Sequence, residues 1–367
     1  MSAAAGMTDT IAATVRTHGG EYPVVVAEGA LARLGEHCRE LGLAGRAFVV
    51  TDTIVERHLG ASAVASLRAA GYAAETFAVP PGEQHKTLAT VASIYDWLIT
   101  AKVERRDFLV CLGGGVVTDM GGFAAATVLR GIDFVHVPTT SLGMLDAAIG
   151  GKTGVDHPLG KNLVGVFAQP RSVIIDPLVL ATLPARELCA GWAELIKHGL
   201  ILDEPLVRDL EEHFATPAAV MTAGLIGRSV AIKAAIVSED EREGGRRTLL
   251  NYGHTIGHAI EAVTGYGEYL HGEAIAIGMR AAALISVEMG LLGPGDVGRQ
   301  QRLLAAAGLP SSAPGLDPDA IIGATLRDKK VSAGSVRWVL LDGIGNATLR
   351  ADVPEHVVRR AVEAVTS

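Results

Sequence analysis

FLVCLGGGVVTDMGGFAAATVLRG, residues 108–131, is the stretch whose reading decides the fold. An apolar strand ends in Gly113-Gly114-Gly115, and a helix is expected to begin near Thr118-Asp119. Glycines at such a junction let backbone N–H groups approach a pyrophosphate, and the positive end of the following helix favours the anion. The spacing is not the GxGxxG of the usual dinucleotide fingerprint. Asp119 has a bland alternative as a cap of its own helix.

On either side of this stretch, short β-branched runs alternate with amphipathic segments. The strand candidates are 22–27, 46–52, 76–80, 107–115, 132–138 and 172–177. That alternation predicts an α/β domain with a parallel sheet. From about Pro184 the periods become helical, in RELCAGWAELIKHGL, NYGHTIGHAIEAV and GEAIAIGMRAAALISVEMG. SVRWVLLD and IGNATLR read as a late hairpin. The expectation is therefore an α/β domain over 1–183 and a mainly α-helical domain over 184–367.

Composition agrees with two folded domains. The chain has 367 residues, 49% of them hydrophobic, and one core stops growing near ~250–300 residues. No run reaches the ~18 apolar residues of a membrane helix, and MSAAAGMTDTIAATVRTH lacks a basic start and an apolar core, so no signal peptide is expected. A net charge of −8 argues against nucleic acid as the main partner. Cys38, Cys111 and Cys189 show no CxxC spacing and read as small buried groups in a reducing, cytoplasmic compartment.

Three further features carry chemistry. Asp52, ending the strand in VVTDT, suits a ribose hydroxyl and equally suits a turn. The segment 137–170 has little regular period and holds Lys152, Lys161 and Asn162 among glycines, a composition suited to phosphate oxygens. In the helical half, Glu194 and Lys197 are spaced i, i+3, while His254 and His258 are spaced i, i+4 with His271 following. With 12 histidines in the chain, the pair alone is weak, and HTIGH lacks the glutamate of a zincin. Three such oxygen and nitrogen donors plus an open position would make a catalytic zinc site. Lys233, Arg247, Asn251 and Lys330 each read, taken singly, as surface residues.

Taken together, GGGVVTDMGGFAAATVLRG, GGKTGVDHPLGKN, DEREGGRRTLLNYGHTIGHAIE, GEYLHGEAIAIGM and DKKV, in that order, resemble the 3-dehydroquinate synthase family over residues 46–345. The resemblance implies a phosphate-eliminating cyclase that turns 3-deoxy-D-arabino-heptulosonate 7-phosphate into 3-dehydroquinate, using NAD catalytically and a divalent metal, zinc or cobalt. Transient oxidation of a ring hydroxyl makes the neighbouring C–H acidic enough for phosphate to leave. Reduction, ring opening and an aldol closure follow. A homodimer is implied, with no membrane or nucleic-acid partner.

The resemblance also implies roles, residue by residue. Glu194, His254 and His271 would hold the metal, with His258 outside the ligand set. Arg130 (in reach of a second subunit), Lys152, Asn162 and His258 would surround the phosphate. Asp146, Lys197, Lys233 and Asn251 would bind substrate hydroxyls, and Arg247 and Lys330 the carboxylate. For NAD, the matching positions are Asp52, Glu83, Lys86, Gly114, Gly115, Val116, Asp119, Thr139, Thr140, Lys161, Thr182 and Leu183.

Two positions depart from the family pattern: Ile54 replaces a common Asn, and Asp156 stands where GVN is usual. An anion beside a phosphate is costly, so Asp156 is expected to point away. The competing readings are a sister sugar-phosphate cyclase or aminodehydroquinate synthase, an alcohol dehydrogenase of the glycerol dehydrogenase kind, and a non-enzymatic nucleotide sensor. Retention of Arg247 and Lys330 argues against sister cyclases whose substrates lack a carboxylate. The lysine-bearing loop has no purpose in the dehydrogenase.

Overall fold

The computed structural model describes residues 11–216, 220–327, 331–332 and 335–367. They divide into two compact units, one of residues 1–183 and 221–242, the other of 184–220 and 243–367. The first boundary falls where the strand pattern gives way to helical periods. The return of 221–242 to the first unit departs from the expected uninterrupted second domain.

In the first unit, strands β1 (Ile11–Thr17), β2 (Gly20–Val26), β3 (Ala47–Asp52), β4 (Ala74–Val79), β5 (Phe108–Gly113), β6 (Asp133–Pro138) and β9 (Ser172–Ile175) form one sheet in the order β1-β2-β9-β6-β5-β3-β4. Only the β1–β2 pair is antiparallel. All six residues of β5 are buried, as expected of a central parallel strand covered on both faces. Helices α1 (Leu34–Glu40), α2 (Thr53–Val55), α3 (Ala61–Ala69), α4 (Leu88–Thr100) and α5 (Gly115–Thr127) belong to this unit. Val91, Ile94 and Leu98 of α4 and Val117 and Met120 of α5 join Phe48, Leu109 and Cys111 of the sheet in one core. Full burial of such side chains contributes roughly 1.5–3 kcal/mol each.

The path across the sheet reverses between β3 and β5, because β4 lies beyond β3 while β6 and β9 lie on the other side of β5. Open α/β sheets bind ligands outside the carboxyl ends of their strands at such a reversal. Here those ends are Asp52 and Gly113.

Two expectations need correction within this unit. Helix α5 begins at Gly115 with Gly114 as its N-cap, several residues earlier than Thr118-Asp119, so Asp119 lies beyond the capping positions. The segment 137–170 is not an aperiodic loop: it contains an antiparallel hairpin of β7 (Lys152–His157) and β8 (Gly160–Phe167). Its strands pair Gly154 with Gly165, and such side-chain-free positions erase the alternation by which a strand is recognised.

The second unit contains α6 (Ala185–Leu202) and α7 (Glu204–Phe214). The chain then returns to the first unit for α8 (Ala223–Glu239). There Ser238 accepts from the Arg16 backbone, and Glu241 accepts from the His18 backbone and the Gln169 amide. A helical period does not reveal which core its helix joins. Helices α9 (His254–Val263), α10 (His271–Glu288), α11 (Pro294–Ala306), α12 (Pro318–Arg327) and α13 (Glu355–Thr366) complete the second unit. It also holds a two-residue pair, β10 (Val331–Ser332) with β11 (Ser335–Val336), and the expected late hairpin of β12 (Trp338–Leu341) and β13 (Ala347–Arg350).

Candidate active site

In the first unit, polar groups collect along the carboxyl edge of the sheet. Asp52 caps the turn after β3, accepting from the Ile54 and Val55 N–H groups at 2.8 and 3.0 Å through Oδ1. Gly114, Gly115 and Val116 open α5 beside it. After β6, Thr139 is buried and its hydroxyl has no hydrogen-bond partner, while Thr140 accepts from the Gly143 N–H. Thr182 and Leu183 follow β9, with Thr182 donating to the Val179 carbonyl at 2.8 Å.

Lys86 ties several expected residues together. Its buried ammonium donates to Asp119 at 2.6 Å and to the Asn162 side-chain oxygen at 2.7 Å, with Glu83 at 3.9 Å. Lys161 lies 3.8 Å from the same Glu83. Burial pushes the Asp119 carboxyl up, the Lys86 ammonium opposes it, and the balance leaves it at about 6. Burial also works against the Lys86 ammonium, but Asp119 and Glu83 outweigh it and raise its pKa. Asp119 is thus an ion-pair partner and not a cap. Asp156, unusual by the family pattern, accepts from the Asn162 N–H at 2.7 Å and donates its own N–H to the Lys86 carbonyl. Its carboxylate Oδ1 ties the hairpin turn, and its charge helps to raise the Lys86 pKa.

Lys152 opens β7 and is exposed. Asp146, in a π-helical turn at Gly143–Ala147, makes a short ion pair with Lys233 of α8. Arg130 is exposed in a short 3₁₀ turn, Val128–Arg130, that follows α5, and α5 itself runs roughly 18 Å from Gly115 to Thr127 at ~1.5 Å per residue. Arg130 and Leu129 both have positive φ, 68° and 50°.

The second unit builds a different cluster. On α6, Lys197 bonds to Glu194 Oε2, and both side chains are buried. The other carboxylate oxygen, Oε1, is buried and accepts no hydrogen bond, although His254 Nε2 lies 3.5 Å away and His271 Nε2 3.8 Å away. His254, His258 and His271 offer ring nitrogens that all lie within 4.8 Å of one another. A buried, unsatisfied carboxylate oxygen facing imidazole nitrogens is a costly arrangement alone and a suitable one around a divalent cation.

Two glycines bring the three helices together. A Cβ at Gly272 would collide with the Ala190 carbonyl of α6, and one at Gly278 with the Gly253 carbonyl that precedes α9. Behind the cluster, His254 Nδ1 meets the Tyr252 carbonyl and His271 Nδ1 meets Glu261 Oε2, each at 3.1 Å. Sequence reasoning missed Glu261, although its position seven residues after His254 puts it on the same helical face.

Arg247 and Asn251 lie on a 3₁₀ segment, Arg246–Asn251. At three residues per turn the two are about a third of a turn apart. Arg247 is buried, whereas Arg246 is exposed. Asn251 donates its amide to Glu243 at 2.6 Å. Lys330 lies outside the described residues.

Residues 76–190 match the family model "3-dehydroquinate synthase N-terminal", and residues 191–331 match "3-dehydroquinate synthase C-terminal". The curated 3-dehydroquinate synthase of Gloeobacter violaceus is 49% identical over 94% of this chain and 96% of its own length. That of Synechococcus sp. strain CC9605 is 48% identical over 93% and 94%. The chain belongs to the 3-dehydroquinate synthase family.

Solved structures place the fold among its sister cyclases. A 2-deoxy-scyllo-inosose synthase, complexed with carbaglucose-6-phosphate, NAD+ and Co2+, superposes with a TM-score of 0.88 at 29% identity, over 98% of this chain and 100% of the other. The 2-epi-5-epi-valiolone synthase of Streptomyces hygroscopicus, with NAD+ and Zn2+ bound, gives 0.85 at 31% identity, over 94% and 96%. A glycerol dehydrogenase from Schizosaccharomyces pombe, at 18% identity and a TM-score of 0.64, shares the fold alone. The 3-dehydroquinate synthase relatives are thus much closer in sequence than these cyclases. Among the described residues, no helix is long and apolar enough to cross a membrane.

Proposed function

We infer that this chain converts 3-deoxy-D-arabino-heptulosonate 7-phosphate into 3-dehydroquinate and phosphate, as a lyase that uses NAD catalytically. The observation that carries the reading is the 49% identity to a 3-dehydroquinate synthase over nearly the whole chain, against 29–31% for the sister cyclases.

Glu194, His254 and His271 are the residues proposed to hold a divalent metal, zinc or cobalt. The unsatisfied Glu194 Oε1 beside both imidazole Nε2 atoms supports that set. The carboxyl edge of the first unit, from Asp52 through Gly114, Gly115 and Val116 to Thr139, Thr140, Thr182 and Leu183, is proposed to hold NAD. Glu83, Lys86, Asp119 and Lys161 would join it. When bound, NAD+ takes and returns a hydride, and the metal polarises the oxygen being oxidised.

The chain's own residues would bind and orient. Lys152 and Asn162, with His258, would hold the phosphate, the lysine acting as a point charge on its oxygens. Asp146, Lys197, Lys233 and Asn251 would hold the hydroxyls. Buried Arg247 would take the carboxylate through two parallel N–H donors, joined by Lys330. The exposed Arg130, beyond the end of α5 opposite Gly115, would serve a second copy in a cytoplasmic homodimer.

Substrate choice tests the reading. With NAD+ and zinc supplied, the heptulosonate phosphate should release phosphate and yield dehydroquinate, whereas glucose 6-phosphate should release none. Release from glucose 6-phosphate alone would move the chain to the inosose-forming cyclases.

A further inference from the structure

Glu261 is a buried carboxylate to which none of the roles above gives work. A buried carboxylate is expensive unless it is paired, so its partner identifies its use. His254, His258 and Glu261 occupy positions i, i+4 and i+7 of α9 and therefore share one face of that helix. From there Glu261 Oε2 reaches His271 Nδ1 at 3.1 Å, on the neighbouring α10. An ionised carboxylate only accepts, so a neutral His271 ring held by it carries its proton on Nδ1 and turns its Nε2 lone pair toward Glu194 Oε1.

The two histidines differ in how much the fold itself restrains them. His254 is buried within its unit, and the backbone carbonyl of Tyr252 fixes its Nδ1. His271 is the first residue of α10, and its side chain remains a quarter exposed. A ring at a helix start, open on one side, has fewer neighbours to set its orientation.

We propose that Glu261 is a positioning residue for His271: it fixes the tautomer and ring orientation that present Nε2 to the cluster, and so raises the affinity of that cluster for a divalent cation. The proposal rests on the reading of Glu194, His254 and His271 as a metal site. Carboxylates behind metal-bound histidines act in this way by orienting the ring and raising its basicity, and their removal typically costs ~10–100-fold in metal affinity.

The test is zinc affinity of the purified full chain, measured by competition with a chromophoric chelator, together with the visible spectrum of the Co2+-loaded form. Parent, Glu261→Gln, Glu261→Ala and His271→Ala are compared, and the melting temperature of each metal-free protein is recorded. Glu261→Ala should bind zinc roughly 10–100-fold more weakly and alter the Co2+ spectrum. Glu261→Gln, which keeps an oxygen acceptor without the charge, should fall between it and the parent with an unchanged metal-free melting temperature. Parent-like zinc affinity in both Glu261 variants overturns the proposal while leaving the metal site intact. So does a loss in Glu261→Gln that only follows a collapse of the metal-free fold. A parent that binds no zinc, or a His271→Ala variant that binds as tightly as the parent, overturns the metal reading itself and the proposal with it.

Discussion

Arg246 and Arg247 are adjacent in a charged run, yet the first is exposed and the second buried. Sequence gives no means of ranking the two, because a 3₁₀ segment is not written in a periodic pattern. The resemblance selected Arg247, and its burial is consistent with a carboxylate clamp. Losing one partner of a desolvated charged pair costs roughly 2–5 kcal/mol. Arg247→Ala should therefore weaken the carboxylated substrate by about one and a half to nearly four orders of magnitude at ~1.4 kcal/mol per decade, sparing NAD+ and zinc. Arg246→Ala should bind near normally, and equal near-normal affinities would remove the clamp. The metal set is tested at the same scale. Glu194→Ala or His271→Ala should abolish zinc retention, whereas His258→Ala should keep zinc and lose activity. Zinc loss in His258→Ala as complete as in His254→Ala would add His258 to the ligands, a geometry the mutual closeness of the three rings allows.

Among the elements, the buried strands were legible because a continuous apolar run between turn residues has few other uses. β3, β5, β6 and β9 fall inside their expected ranges. The β7–β8 hairpin was not legible, since Gly154 and Gly165 interrupt its alternation. Nor was the allegiance of α8, which depends on contacts such as Lys233 with Asp146 that no period encodes. The proposed metal ligands could be named only through the resemblance, since spacing alone drew attention to His254 with His258, and the glycines that draw α6, α9 and α10 together could not be named at all. Gly278→Ala tests that packing. Its methyl group would collide with the Gly253 carbonyl, and overpacking of this kind costs roughly 1–3 kcal/mol. The expected outcome is a melting temperature lower by several degrees and weaker zinc binding, because His254 and His271 lie on the helices pushed apart. Gly323→Ala on α12, where a Cβ meets open space, should change neither property. Matching behaviour of the two variants would show that the close approach does not support the cluster.

Across the whole molecule, the two proposed chemistries fall in two compact units, an NAD edge on a mostly parallel sheet and an oxygen–nitrogen donor cluster among helices. The residue types behind both proposals stand out in the sequence. The Lys86 network was not legible there, because it joins three separate segments of the chain, around 83–86, Asp119 and Asn162, that meet only in the folded unit. A dehydrogenase sharing this fold would consume NAD+ as it turns over, whereas a cyclase returns the hydride to its own intermediate. The direct measurement is the ratio of phosphate released to NAD+ added, with zinc-loaded protein and excess 3-deoxy-D-arabino-heptulosonate 7-phosphate. Phosphate should greatly exceed NAD+ while no NADH accumulates; NADH rising in step with product, or no phosphate release at all, would contradict the account.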